Sequence, residues 1–236
     1  MRDLMTVDSG AVQAGRRGRF IVFEGGDGAG KSTHVKMLVA ALRKAGYGGA
    51  SERPGLVVTR EPGGTELGVR IRELLLHGDE IEPAAEALLY AADRAQHVAE
   101  VILPALGRGD VVISDRYLDS SIAYQVGGRG LAEAVIRQVN AVGTGGLEPD
   151  LTILMDIAPG IIESRRGGSD GALDRLERAG AAFHRKVIQR YRELAAAHPE
   201  RYAVVNSSAT KGKVHGQVLA AVSRVLETAS PPRDAP

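Results

Sequence analysis

Residues 25–32 read Gly25-Gly26-Asp27-Gly28-Ala29-Gly30-Lys31-Ser32, entered from the short apolar run Phe20-Ile21-Val22-Phe23 and left through a helical pattern. That spacing, G-x-x-x-x-G-K-[ST] between a strand and a helix, leaves the chain little choice of local fold. The glycines let the backbone curl until successive N–H groups point inward at phosphate oxygens, and the helix adds its positive N-terminal end. Lys31 then reaches the β and γ phosphates of a nucleotide, and the Ser32 hydroxyl can ligate Mg²⁺. Asp27, inside the loop, points either at solvent or at the metal and an acceptor phosphate.

Four further β-rich runs follow, at 56–59, 111–114, 151–155 and 202–205. Val35, Leu38, Val39 and Leu42 recur at helical spacing, with Gly46 as a stop. Leu67, Ile71, Leu74 and Leu75 mark a second helix, and residues 83–106 a longer helical stretch. Leu176, Phe183, Val187, Tyr191 and Leu194 trace a helix near the end. Strands that read as continuous apolar runs, alternating with helices, predict an α/β fold of three layers: a five-stranded parallel sheet with helices on both faces. Ligands of such a sheet lie beyond the carboxyl ends of its strands, so those ends are the places to search.

No repeat or interior linker divides the chain, and one domain over residues 19–228 is expected, with residues 1–18 and 229–236 as disordered extensions. Lys plus Arg number 30 against 29 Asp plus Glu, so no net field draws the chain to nucleic acid or to an anionic membrane, and phosphate binding must be local. No apolar run reaches the ~18 residues that a spanning helix needs. The absence of cysteine excludes disulfides, thiolate metal sites and a cysteine nucleophile.

Beyond the second run stands Thr59-Arg60-Glu61-Pro62-Gly63-Gly64-Thr65, and beyond the third Asp115-Arg116-Tyr117-Leu118-Asp119-Ser120-Ser121-Ile122-Ala123-Tyr124-Gln125. Asp115 falls where Mg²⁺ beside the cradle needs a carboxylate, and the Arg116 fork suits phosphate oxygens. Three more pieces join these and the cradle with its flanks Phe23, Glu24 and Thr33: Ala91-Ala92-Asp93-Arg94-Ala95-Gln96-His97, Pro149-Asp150-Leu151-Thr152 and Asp174-Arg175-Leu176-Glu177. In this combination and order, over residues 19 to about 210, the chain resembles the bacterial thymidylate kinases, nucleoside monophosphate kinases of the P-loop NTPase fold.

The resemblance implies transfer of the γ-phosphoryl group of Mg·ATP to dTMP, giving dTDP and ADP, in dTTP biosynthesis. Gly25, Gly26, Asp27, Gly28, Ala29, Gly30, Lys31, Ser32 and Thr33 would hold ATP, while Ser32, Asp115 and Asp27 would serve Mg²⁺. Arg60, Arg72 and Arg116 would gather the dTMP phosphate. Tyr90, where the family usually carries Phe, would stack on thymine. Arg94, Ser121 and Gln125 would face O4 and N3–H of the base, and Tyr124 would pack under the sugar where a 2′-hydroxyl needs room. Glu61 is either sugar-directed or a turn residue, Asp174 and Glu177 lie near the acceptor, and His97 reads as a solvated or satisfied histidine rather than a catalytic one.

Residues 163–173 correspond to a flexible lid that closes over ATP and excludes water. Gly28 stands where one class of the family carries an arginine, so the transition-state cation is expected from Arg165, Arg166 or Arg175, beside Asp27, Lys31 and Arg116 in the catalytic group. A cytoplasmic homodimer is the family expectation. Two other readings of the same residues remain: a kinase for a different nucleoside monophosphate, and a P-loop ATPase switch that signals to a partner protein.

Overall fold

The computed structural model describes residues 18–49, 53–158, 161 and 174–227. Five strands, β1 (Arg19–Glu24), β2 (Leu56–Arg60), β3 (Val111–Asp115), β4 (Leu151–Asp156) and β5 (Tyr202–Asn206), form one parallel sheet in the order β2-β3-β1-β4-β5. Each predicted run lies inside its strand, and the expected five-stranded parallel α/β fold is the one observed. The helices are α1 (Lys31–Lys44), α2 (Glu66–His77), α3 (Pro83–His97), α4 (Leu103–Gly107), α5 (Leu118–Ser121), α6 (Glu133–Thr144), α7 (Ala181–Ala197) and α8 (Lys211–Glu227). Two π-helical turns, Val98–Ile102 and Ile122–Gly128, continue α3 and α5.

The central position of β1 explains its unbroken apolar run, because both of its faces are covered. Ile21 and Phe23 pack with Leu38 of α1 and Val218 of α8, while Phe20 and Val22 meet Ile102, Leu106 and Tyr117 on the other side. Burying each such side chain stabilises by about 1.5–3 kcal/mol, so the strand that delivers the cradle is held from two layers at once. A third cluster, with Ile71, Leu75, Tyr124, Phe183, Val187 and Tyr191, forms the floor beyond the carboxyl edge of the sheet.

Some expectations are corrected in detail. Residues 83–106 are α3, a π-helical turn and the start of α4 in unbroken succession. The second helix turns another face inward: Ile71, Leu75 and Leu76 are buried, whereas Leu67 and Leu74 are exposed. With leucines on both sides of the helix, spacing alone cannot set its phase. Leu176 precedes α7 and lies just before the short turn Glu177–Ala179. Gly18, assigned to the N-terminal extension, is tied into the fold, its N–H donating to the Leu106 carbonyl at 2.9 Å. Residues 1–17 and 229–236, and the lid at 163–173 with Arg165 and Arg166, lie outside the described residues.

Candidate active site

At the end of β1 the chain turns at Gly25 with φ +136°, and a Cβ there would stand 2.7 Å from the Met155 carbonyl oxygen, so the turn admits glycine alone. Gly30 precedes α1 at φ 91° without a side-chain cap, which leaves the first amides of the helix for a ligand. Lys31 folds back into the loop, its Nζ donating to the carbonyls of Gly25 at 2.9 Å and Gly26 at 3.0 Å. Burial, and then the nearby charge of Arg116, lowers its ammonium to about 8. Ser32 Oγ donates to Asp115 Oδ2 at 2.8 Å. This hydroxyl and carboxylate offer the hard oxygen donors that suit Mg²⁺. Among the described residues no cluster of three or more His, Asp or Glu could hold a metal unaided, so nucleotide phosphates and water would have to complete the shell.

Beside the cradle opens a cavity. Asp27, Glu61, Arg72, Tyr90, Arg116, Ser121, Tyr124, Gln125 and Asp174 all line it. Arg116 holds a left-handed backbone, φ 77°, unusual for a residue with a side chain. Its N–H donates to the Phe23 carbonyl at 2.9 Å, and the Arg116 carbonyl accepts from Ser114 Oγ at 2.8 Å. Its guanidinium donates to Asp27 at 2.5 Å, Ser120 Oγ at 3.0 Å and the hydroxyls of Tyr124 and Tyr191 at 3.1 Å. Burial opposes that charge, but Tyr124, Asp27, Tyr191 and Glu24 together outweigh it and hold Arg116 well above its ordinary value. Tyr124, kept protonated chiefly by burial, donates to Asp27 at 2.6 Å. Asp27 thereby joins the cradle to the cavity.

Glu24, wholly buried at the end of β1, accepts from the Tyr117 N–H at 2.9 Å, Ser120 Oγ at 2.7 Å and the Tyr191 hydroxyl at 2.8 Å. Burial, then Asp119, pushes its carboxyl up to about 7. It fixes the turn that aims Arg116.

Arg94 stands behind the cavity wall and does not line it. It is buried and donates to Glu61 at 2.7 Å, Ser121 Oγ at 2.8 Å, the Tyr117 carbonyl at 2.9 Å and Asn140 Oδ1. Both nitrogens of His97 are engaged, Nδ1 with Glu61 at 2.8 Å and Nε2 with Thr59 Oγ1 at 2.7 Å, which agrees with a satisfied histidine. Glu61 faces the cavity with both oxygens already held, one by Arg94 and one by His97. Arg60 is exposed at the end of β2 in register with Asp115, and Arg72 donates to the Pro62 carbonyl at 3.0 Å.

Asp174 and Glu177 bond reciprocally, each carboxylate accepting from the other's N–H, at 2.8 and 3.0 Å, and Glu177 does not line the cavity. Arg175 is committed to the wall: its Nε donates to the Leu75 carbonyl at 3.0 Å and its Nη2 lies 2.6 Å from Glu86. Sequence reasoning missed Glu24, Glu86 and Asn140 as parts of this wall. The signal for Glu86 was there: Glu86, Tyr90, Asp93, Arg94 and His97 recur at helical spacing, a polar stripe on a helix that packs inward.

The family model for thymidylate kinase matches residues 23–218. The thymidylate kinase of Synechococcus sp. (strain JA-2-3B'a(2-13)) is 46% identical over 215 residues, 91% of this chain and 99% of the relative. That of Deinococcus radiodurans is 48% identical over 208 residues, 88% of this chain and 97% of the relative. A crystal structure of thymidylate kinase from Ehrlichia chaffeensis superposes with a TM-score of 0.70 at 29% identity, covering 87% of this chain and 98% of that one. With the cradle and the cavity inside the matched span, the chain belongs to the thymidylate kinase family.

Proposed function

We propose that the chain transfers the γ-phosphoryl group of ATP to the 5′-phosphate of dTMP, giving dTDP and ADP, with Mg²⁺ as cofactor, in dTTP biosynthesis. Family membership carries the phosphotransferase activity. The observation that supports the local assignment is Asp27, a cradle residue whose carboxylate is bonded to both Arg116 and Tyr124 of the neighbouring cavity. Two phosphate-suited sites that share one carboxylate on one sheet edge suit a donor and an acceptor held in line.

In this reading the cradle amides and Lys31 take the β and γ phosphates, Lys31 exchanging loop carbonyls for phosphate oxygens. Ser32, Asp115 and Asp27 would hold Mg²⁺, which when bound would neutralise phosphate charge. Arg60, Arg72 and Arg116 gather the acceptor phosphate. An acceptor oxygen attacks the γ-phosphorus in line; the new P–O bond forms as the β–γ bridge breaks and ADP leaves with the electron pair. The acceptor is already an anion, so no general base is needed. Tyr90 stacks on thymine, Tyr124 excludes a 2′-hydroxyl, and Ser121 and Gln125 read the base edge with Arg94 acting through Ser121. Arg165 and Arg166 supply the transition-state cation, whereas Arg175, Glu61, Asp174 and Glu177 shape the wall.

A cytoplasmic homodimer completes the reading. Leu67, Val69 and Leu74 of α2, Leu88 of α3 and Val135 and Val142 of α6 are exposed on helices that pack side by side, an apolar surface that a second copy would cover. Sedimentation should give twice the chain mass. Among the described residues no helix is long and apolar enough to cross a membrane. ADP release with Mg·ATP and dTMP, dUMP, dCMP, UMP, AMP or no acceptor tests the reaction. Strong dependence on dTMP with UMP inert is expected, and equal release without an acceptor would overturn it.

A further inference from the structure

Behind the cavity stands a further buried carboxylate, Glu86 of α3, with no solvent exposure. It is met by Gln125 Nε2 at 3.0 Å, by Arg129 Nε at 3.2 Å and Nη2 at 2.9 Å, and by Arg175 Nη2 at 2.6 Å. Burial alone would push this carboxyl up, but Arg129, Gln125 and Arg175 outweigh it and hold it below its ordinary value, so Glu86 is an anion. An ionised carboxylate only accepts hydrogen bonds. The Gln125 amide must therefore turn its NH₂ toward Glu86, and its carbonyl is the end left for the cavity that Gln125 lines. Ser121 is fixed in the opposite sense: its oxygen accepts from Arg94, itself held by Glu61, so its own proton is left to donate. The wall offers one donor and one acceptor.

Thymine presents the complement, a C4 carbonyl that accepts and an N3–H that donates, whereas cytosine presents an amino donor and a bare N3 acceptor. We propose that Glu86 is a positioning residue that locks the Gln125 amide with its carbonyl toward the cavity, so that the enzyme selects pyrimidines carrying N3–H. The proposal rests on the cavity being the dTMP base site. A turned amide would set NH₂ against N3–H, two buried donors without an acceptor, the kind of misfit that a polar site rejects most strongly.

Glu86→Gln keeps the length of the side chain and removes its charge, which frees Gln125 to turn either way. The ratio of kcat/KM for dTMP over dCMP should then fall about tenfold or more, and Gln125→Met, which removes the carbonyl, should collapse it as well. An unchanged ratio in Glu86→Gln beside a collapsed one in Gln125→Met overturns the proposal and leaves the base site standing. An unchanged ratio in Gln125→Met removes the base-site reading and the proposal with it. A merely structural Glu86 would lower the melting temperature and both rates without moving the ratio. Should Glu86→Gln not fold, NMR of the wild-type chain carries the test. The Gln125 side-chain N–H protons should stay protected from solvent exchange with and without dTMP, and free exchange without nucleotide overturns the proposal.

Discussion

In the proposed reading the donor half of the site is made largely of backbone, whereas the acceptor half is made of side chains. The cradle closes over contiguous residues 25–32, and Lys31 folds inside it against two carbonyls. The cavity takes Asp27, Arg72, Tyr90, Arg116, Tyr124 and Gln125 from several elements and holds its wall with the buried carboxylates Glu24, Glu61 and Glu86. In the wall, cations meet buried anions: the buried Arg94 with Glu61, and the partly buried Arg129 and the buried Arg175 with Glu86. In the cradle, a buried ammonium faces dipoles. The difference separates two kinds of damage. A change in the cradle should cost chemistry, and a change in the wall should cost the fold, because it leaves a buried charge alone.

The largest effect should come from Lys31→Ala, which we expect to lower kcat at least about 10³-fold. Calorimetry should find dTMP binding largely intact and the melting temperature not lowered, since burial already disfavours the Lys31 charge. Near-normal turnover would break the assignment of the cradle. Glu61→Ala should cost about 3–5 kcal/mol in urea denaturation by stranding Arg94. A loss below about 1 kcal/mol would mean that the wall carboxylates do not carry the fold.

Arg116→Lys probes the seam between the halves. A lysine cannot reproduce the fork, and kcat/KM for dTMP should fall about 100-fold in steady-state assays. A loss confined to the KM of ATP would put Arg116 on the donor side alone. The smallest effect is a proton. With its pKa lowered to about 8, Lys31 is mostly neutral near pH 8.5 in the free protein, and ATP phosphates should raise that pKa again. ATP binding should therefore take up a fraction of a proton at about pH 8.5 and less at about pH 7, read by calorimetry in two buffers of different ionisation heat. No uptake at the higher pH would separate Lys31 from the phosphates.

The same contrast explains what the sequence made legible. The cradle could be read directly because its function is local: eight consecutive residues where one strand turns into one helix. The inner strands β1, β3 and β4 were legible because burial on both faces leaves an apolar run with nothing to interrupt it. The acceptor wall could be named only through family resemblance, since Asp27 and Tyr124 lie 97 residues apart and Glu24 and Tyr191 lie 167 apart. Even then the resemblance set Arg94 at the base edge, whereas the structure holds it behind Ser121, outside the cavity lining. Glu86 escaped notice because an acidic residue near a helix start reads as solvated until the arginines that neutralise it, 43 and 89 positions along, are brought to it by the fold. The phase of α2 was lost for a plainer reason: its exposed leucines look the same in sequence as its buried ones.

The central place of β1 has a consequence in time. A ribosome makes the strand that carries the cradle first, yet its neighbours in the sheet are β3, at Val111–Asp115, and β4, at Leu151–Asp156. At a synthesis rate of about 5–20 residues per second, roughly 5 to 20 s pass before β3 exists to pair with it. During that interval Phe20 to Phe23 form an apolar segment with two open edges, waiting for partners that lie far down the message.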